Sequence, residues 1–511
     1  MLGRVAQSVA IPLERSVVSR QLRRRFTFEI PGVLLFTMLG FLVMGYHPGL
    51  EDDSIYLTAV KARLDPALYP YNARFFKLQM QATEFDRCMA GFVRLTQIPV
   101  AWAELFWQLV SLFLILWAAK KIANRLFRET SARWAAVAMI AAMFTLPVAG
   151  TALYMVDQHL HPRTLATAAI LLAIDAVLAK KHWQTALLLL AACFLHPLMA
   201  ILGISFCVFL RLSTQTSWGE GAGTFQGSSL AIAPLGWVFE RTAPGWRQAL
   251  STRTYYNLYR WTWYEWLGAI GPLFFFWIVW QASKKRGDSL LARLSLAALC
   301  YGVFHLLLAM ILLGPASLIR LTPWQPMRFL HLLYFLFMLV AGGLLGKFVL
   351  KKSVLRWAVF LVVGNGCMWA GQRAEFAGSQ HLELPGRHPA NQWLQAFDWV
   401  KENTPVNAYF ALDPHYMQAS GEDFHGFRAL AERSQLADAV KDAAVVTLVP
   451  ELGPEWLRQV DAQQGWRGFS LADFQRLRRE FGVDWVLVYT GQTAGLDCRW
   501  HNRTLAACHI P

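Results

Sequence analysis

Gly45-Tyr46-His47-Pro48-Gly49-Leu50-Glu51-Asp52-Asp53-Ser54-Ile55-Tyr56 follows directly on an apolar run at residues 28–46. A bilayer crossing takes ~20 apolar residues, and this run has that length. The three adjacent carboxylates then lie at the edge of the membrane. They repel one another, so a cation, basic side chains or water must offset them. Upstream, residues 1–27 carry Arg4, Arg15, Arg20, Arg23, Arg24 and Arg25 against Glu14. By the positive-inside rule the run is a first helix entering from the cytoplasm, with the acids on the far side. It is too long for a signal-peptide core and has no small-residue cleavage site.

Working outward, the whole chain reads as a membrane protein. Of its 511 residues 55% are hydrophobic and only 16% charged, and 22 are Trp. Soluble chains carry about 25% charged residues, and Trp is favoured at membrane interfaces. The net charge of +15 comes from Lys and Arg clusters between apolar runs, as the positive-inside rule produces them. No RNA- or DNA-binding signature is present, and nucleic acid is not an expected partner. The seven cysteines form no CxxC pair, which argues against a zinc or redox motif.

The expected class is mainly α, a polytopic bundle of about nine to eleven crossings with the N-terminus in and the C-terminus out. A long outer loop, 47–100, follows the first crossing and should form helices on the membrane surface. Further crossings are expected at 102–119, 133–154, 163–179, 265–283, 289–313, 329–348 and 354–371. Residues 183–210 are interrupted by His196-Pro197 and read as one kinked crossing. A hairpin there would need one more crossing within 228–240. Residues 213–263 run from glycine-rich to aromatic, an interfacial belt.

The membrane domain is thus placed at 28–372 and a small α/β domain outside the membrane at 373–511. In that domain 390–402, 427–440 and 470–481 read as helices and 408–412, 444–449 and 483–489 as strands. Cys498 and Cys508 flank a hairpin turn. In an oxidising compartment they could pair, and two unpaired thiols are the alternative.

Three constellations could carry chemistry. Glu51, Asp52 and Asp53 either cap the helix starting near Ser54 or supply a general base, with or without Mg²⁺ or Mn²⁺. Asp157, His159, His161 and Arg163 alternate just before a helix. Asp157, His159 and His161 are candidate metal ligands, though their spacing matches no standard zinc motif. Arg163 could grip a phosphate oxygen or merely reach head groups. Arg320 and Arg328 place positive charge at the outer face, where lipid head groups or an anionic substrate would explain it. The histidines inside crossings, His196, His305 and His331, should face the bundle interior. Glu104 and Asp175, near crossing ends, are expected to reach solvent and are assigned no role. GxSxG, Walker A, GxGxxG and HExxH motifs are absent.

A first crossing, a long loop opening with adjacent acids, many further crossings and a soluble tail together resemble the GT-C superfamily of membrane glycosyltransferases. Glu51-Asp52-Asp53 with Asp65-Pro66-Ala67-Leu68-Tyr69-Pro70 is similar to the first outer loop of its bacterial members. Thr404-Pro405 to Phe410 and Phe481-Gly482-Val483-Asp484-Trp485-Val486 are similar to their tail domains. The resemblance implies a donor sugar on a polyprenyl phosphate or pyrophosphate, and an acceptor hydroxyl on a glycan, lipid or protein. It implies Asp53 or Asp52 as base, with Asp53 favoured, inversion at the anomeric carbon, and a divalent cation in some members. It places the protein in a bacterial inner membrane with the tail in the periplasm. The tail lacks a WWDYG-type motif, so transfer of a large preassembled glycan does not follow. A transporter or flippase for a lipid-linked or anionic substrate, or a non-catalytic envelope assembly protein, would also have many crossings. Transporters, however, place their charge near the midplane, and here most of it sits at one face.

Overall fold

A computed structural model describes residues 29–214, 242–418 and 425–511. The expected basic N-terminus, and the glycine-rich stretch with the extra crossing at 228–240, lie outside these residues. Helix α1 spans Glu29–Met44. The loop after it folds into α2 (Asp53–Leu64), α3 (Arg74–Lys77) and α4 (Phe85–Thr96). Next come α5 (Val100–Leu126), α6 (Thr130–Ala142), the two-stranded β1 (Pro147–Val148) and β2 (Leu153–Tyr154), and α7 (Pro162–Leu178). Helices α8 (His182–Leu195) and α9 (Pro197–Thr214) follow. The bundle closes with α10 (Pro244–Ser251), α11 (Trp263–Arg286), α12 (Ser289–Leu313), α13 (Phe329–Leu345) and α14 (Val354–Glu375). Five helices among the described residues are long and apolar enough to cross a membrane, and three more apolar helices are shorter. Leu355, Val362 and Val363 of α14 face outward, as lipid-facing side chains do.

The centre of the bundle is α13, buried against α6. A Cβ on Gly346 would lie 2.5 Å from the Ser131 carbonyl oxygen, and one on Gly342 2.7 Å from that of Ala135. Helices in lipid gain little from apolar burial against one another, so small residues that let backbones touch hold them together.

Two expected crossings are corrected. Helix α6 stops at Ala142 rather than 154, because Pro147 cannot extend it and Gly150 turns the hairpin at φ +60°. Residues 183–210 are not one kinked crossing. His196 precedes Pro197 and is pushed out of helical geometry, to φ −155° and ψ 90°. The chain then reverses. The His196 ring lies 6.1 Å from that of His161, at the start of α7. Farther on, a Cβ on Gly203 would meet Ile170 Cγ1 at 2.7 Å, and Ser205 Oγ meets His305 Nε2 at 2.9 Å. Helix α9 therefore runs alongside α7 and antiparallel to α8.

The tail comprises α15 (Gln392–Asn403), β3 (Tyr409–Leu412), α16 (Phe427–Ala431), β4 (Ser434–Gln435), α17 (Lys441–Leu448), α18 (Gly453–Ala462), α19 (Leu471–Phe481), β5 (Trp485–Tyr489), β6 (Asp497–His501) and β7 (Leu505–His509). The sheet order is β4-β3-β5-β7-β6. The pairs of β3 with β4 and β5 are parallel and the others antiparallel. Side chains alternate across it: Phe410, Leu412 and Leu487 pack on Trp393 and Phe397 of α15. Tyr409, Ala411, Val486 and Val488 pack on Phe474 and Leu477 of α19. Cys498 and Cys508 face each other across β6 and β7 and are joined by a disulfide.

The expected helix 427–440 is only α16 followed by β4, since Glu432 turns left-handed at φ 54°. The expected strand 444–449 is helix α17. Its Val445 and Val446 fill a core shared with Trp246 of α10 and Trp456 of α18, and that packing overrides their strand preference. The same core holds Ile55, Phe75 and Phe76 of the first loop. Tail and first loop are thus one packed body rather than separate modules.

Candidate functional site

The acidic loop is pinned from both sides before its carboxylates begin. Tyr46 bridges to Leu382 in parallel and Leu50 to His425 antiparallel. The His47 N–H donates to the Gln158 carbonyl at 2.8 Å. Glu51 then adopts φ 50°, an uncommon conformation for a non-glycine residue that needs support from its surroundings. The chain enters α2 immediately, and its three acids point in different directions.

Asp53 turns inward. It is 2% exposed, accepts the Gly49 N–H at 2.6 Å, and faces Glu104 of α5. Burial pushes its carboxyl above the ordinary carboxylate range. Asp53 does not line the cavity described below. Glu104, expected to reach solvent, is 2% exposed.

Asp52 faces a cavity of about 760 Å³ at the end of the bundle that carries the tail. Lys441 of α17 reaches down from the tail to Asp52 Oδ1 at 3.2 Å and also bonds Glu51. His161 Nε2 lies 3.6 Å from Asp52 Oδ2. Burial alone would raise the Asp52 carboxyl, but Lys441, His161 and Arg163 together hold it well below its ordinary range.

Opposite, Arg163 is 3% exposed and donates from Nη2 to Asp157 Oδ1 at 2.6 Å. Its Nε and Nη1 have no acceptor among the described residues. Burial would raise Asp157, and the guanidinium brings it down to about 2. His161 caps α7, accepting the Arg163 N–H on Nδ1 at 2.9 Å. Burial, with Arg163 nearby, pushes its ring down to about 4, so it is neutral at pH 7. His159 lines the same cavity, and neither of its ring nitrogens has a hydrogen-bond partner among the described residues.

Arg328 enters from the segment before α13, its Nε on Gln325 Oε1 at 2.6 Å. Gln325 in turn donates to the Tyr256 hydroxyl at 2.9 Å. Arg320 does not line the cavity. Glu51, Asp52, Asp157, His159, Arg163 and Arg328, singled out from sequence, thus converge on one space. Arg253 and Lys441 line it too and went unrecognised. Lys441 lies between the expected helix 427–440 and the expected strand 444–449, and a lone Lys carries no motif.

A divalent cation at this loop is tested by the donor set. Glu51 and Asp52 already take Lys441, and Asp157 already takes Arg163. The acids are thus offset by the protein's own cations, while Asp157 Oδ2, His161 Nε2 and both ring nitrogens of His159 have no hydrogen-bond partner among the described residues. Asp157, His159 and His161 do not form a ligand cluster. Among the described residues one group of three metal-type donors comes together elsewhere: His47, Glu383 and His425, with ligand atoms within 4.8 Å of one another.

No protein-family model matches the sequence, and none of the curated proteins does. Among solved structures the chain is similar to the crystal structure of the Archaeoglobus fulgidus oligosaccharyltransferase in the apo form. The TM-score is 0.44 and the identity 12%, over 90% of this chain and 69% of that one. The complex of the same protein with Zn and sulfate gives a TM-score of 0.41 at 12% identity, over 90% of this chain and 68% of that one.

Proposed function

We propose that this chain is a membrane glycosyltransferase that moves a sugar from a polyprenyl-phosphate-linked donor to an acceptor hydroxyl, with Asp52 as general base. One observation carries the reading: buried Arg163 lines the cavity that Asp52 faces, and its Nε and Nη1 have no acceptor among the described residues. An unpaired buried donor is costly, and a phosphate oxygen satisfies a guanidinium in the required geometry. Arg328 and Arg253 line the same space and supply further positive charge for the leaving group.

In this scheme the acceptor O–H gives its proton to Asp52 as its oxygen bonds to the anomeric carbon. The bond from that carbon to the phosphate oxygen breaks, and its electron pair leaves with the phosphate. Attack from the side opposite the phosphate inverts the centre. Asp52 stays ionised across the neutral range because its surroundings hold its carboxyl low. Lys441 and His161 fix its position.

The test uses the purified full chain in vesicles with a panel of radiolabelled polyprenyl-phosphate sugars. Sugar-dependent release of polyprenyl phosphate is expected. Asp52→Asn should lower it 10²–10⁴-fold, the usual contribution of a general base, while the protein level stays normal. Arg163→Gln should weaken donor binding. Lipid transbilayer movement without release would instead identify a flippase. Neither activity from folded protein would leave an assembly role.

A further inference from the structure

We propose that His47, Glu383 and His425 form a binding site for a divalent transition-metal ion, Zn²⁺ by its donor set, that fastens the acidic loop to the tail. The three residues come from the segment after α1, the connection after α14 and the segment just before α16. Their ligand atoms all lie within 4.8 Å of one another. His425 Nε2 is 2.8 Å and His47 Nδ1 3.4 Å from Glu383 Oε2. Ligand atoms at ~2.0–2.1 Å around a tetrahedral ion stand ~3.4 Å apart, so only small side-chain shifts are needed. Two imidazoles and one carboxylate are a donor set that Zn²⁺ accepts.

Burial supplies the second argument. His47 is 0% and His425 1% exposed. Neither ring nitrogen of His47, nor Glu383 Oε1, has a hydrogen-bond partner among the described residues. Buried polar atoms left this way are costly, and a bound ion would satisfy them.

The backbone holds the three side chains together independently of any ion. Tyr46 donates to the His381 carbonyl at 3.0 Å, and the Glu383 N–H donates to that of Tyr46 at 2.9 Å. The Gly426 N–H donates to the Gly49 carbonyl at 2.8 Å. Phe376 packs on the His47 ring at 4.4 Å and lines the cavity, so it screens the cluster from the catalytic space. With three protein ligands, the fourth position falls to water. The role inferred is positional, because His47 immediately precedes the acidic loop.

Tag-free full-length protein in detergent is stripped with a chelator and titrated with Zn²⁺ and with Co²⁺. About one ion per chain by mass spectrometry is expected, with a raised Tm and, for Co²⁺, the visible absorption of a four-coordinate site. His47→Ala and Glu383→Gln should each lose most of the bound metal, whereas Asp52→Asn should keep it. Folded wild-type protein that takes up no stoichiometric metal, or variants that retain it, would overturn the site. Should those variants fail to fold, X-ray absorption of the wild-type ion decides: two imidazoles in its coordination shell support the site, and none overturns it. Because Asp52→Asn lowers transfer but not metal binding in this scheme, the two proposals fail separately.

Discussion

Asp52 and Asp53 are adjacent in sequence yet chemically opposite. One carboxyl is held down by Lys441 beside a cavity, and the other is pushed up by burial. Asp53→Asn should therefore retain far more transfer than Asp52→Asn in the same vesicle assay, and equal loss would count against Asp52 as the base. His161 and Asp157 each contribute to how the fold responds to acid. The folded His161 ring sits at about 4, below the ~6.5 of an unfolded chain. The folded state thus binds fewer protons in that interval, and stability falls as pH drops from about 6.5 to 4. Asp157, at about 2 folded against ~3.9 unfolded, extends the loss below pH 4. It contributes on the order of 2 kcal/mol above that range. Thermal unfolding across pH should show both limbs, and His161→Gln should flatten only the upper one.

Helices α6 and α13 meet through glycine and alanine, so that contact is the most sensitive place to add volume. Gly346→Val puts a branched side chain where a single Cβ already falls 2.5 Å from the Ser131 oxygen. A loss of ~1–3 kcal/mol is expected, read as a lower Tm with unchanged cavity chemistry. At this scale the apolar runs were legible, because a bilayer imposes a length that composition reveals. The helices at 100–126, 263–286, 289–313 and 354–375 lie where apolar runs were read. The reversal at His196-Pro197 was not legible, because a proline breaks a helix without saying which way the chain goes next. The identity of α17 was hidden for another reason: Val445-Val446-Thr447 favours a strand locally, and only Trp246 and Trp456, distant in sequence, make it a helix. Asp52, Asp157, Arg163 and Arg328 could be found because charge at the edge of an apolar run is conspicuous. Their division of labour could not, since orientation depends on neighbours such as Glu104 and Lys441.

The whole molecule places the cavity between the bundle and the tail, and Lys441 ties the two by meeting Glu51 and Asp52. Lys441→Met removes the main cation holding Asp52 low. The acid limb of the pH–rate profile should move to higher pH, and kcat/KM should fall about tenfold or more. A profile that does not move would show that this contact is packing alone. The core shared by α2, α3, α10, α17 and α18 makes tail and loop stand or fall together.

The contact between Glu51 and Lys441 spans 390 positions of chain. Ribosomes make proteins from the N-terminal end, so the acids leave the ribosome long before their counterion exists. A growing chain must carry Glu51 through the insertion of the helices in between without the lysine that meets it. The contact that joins the acidic loop to the tail can form only after Lys441 has been made.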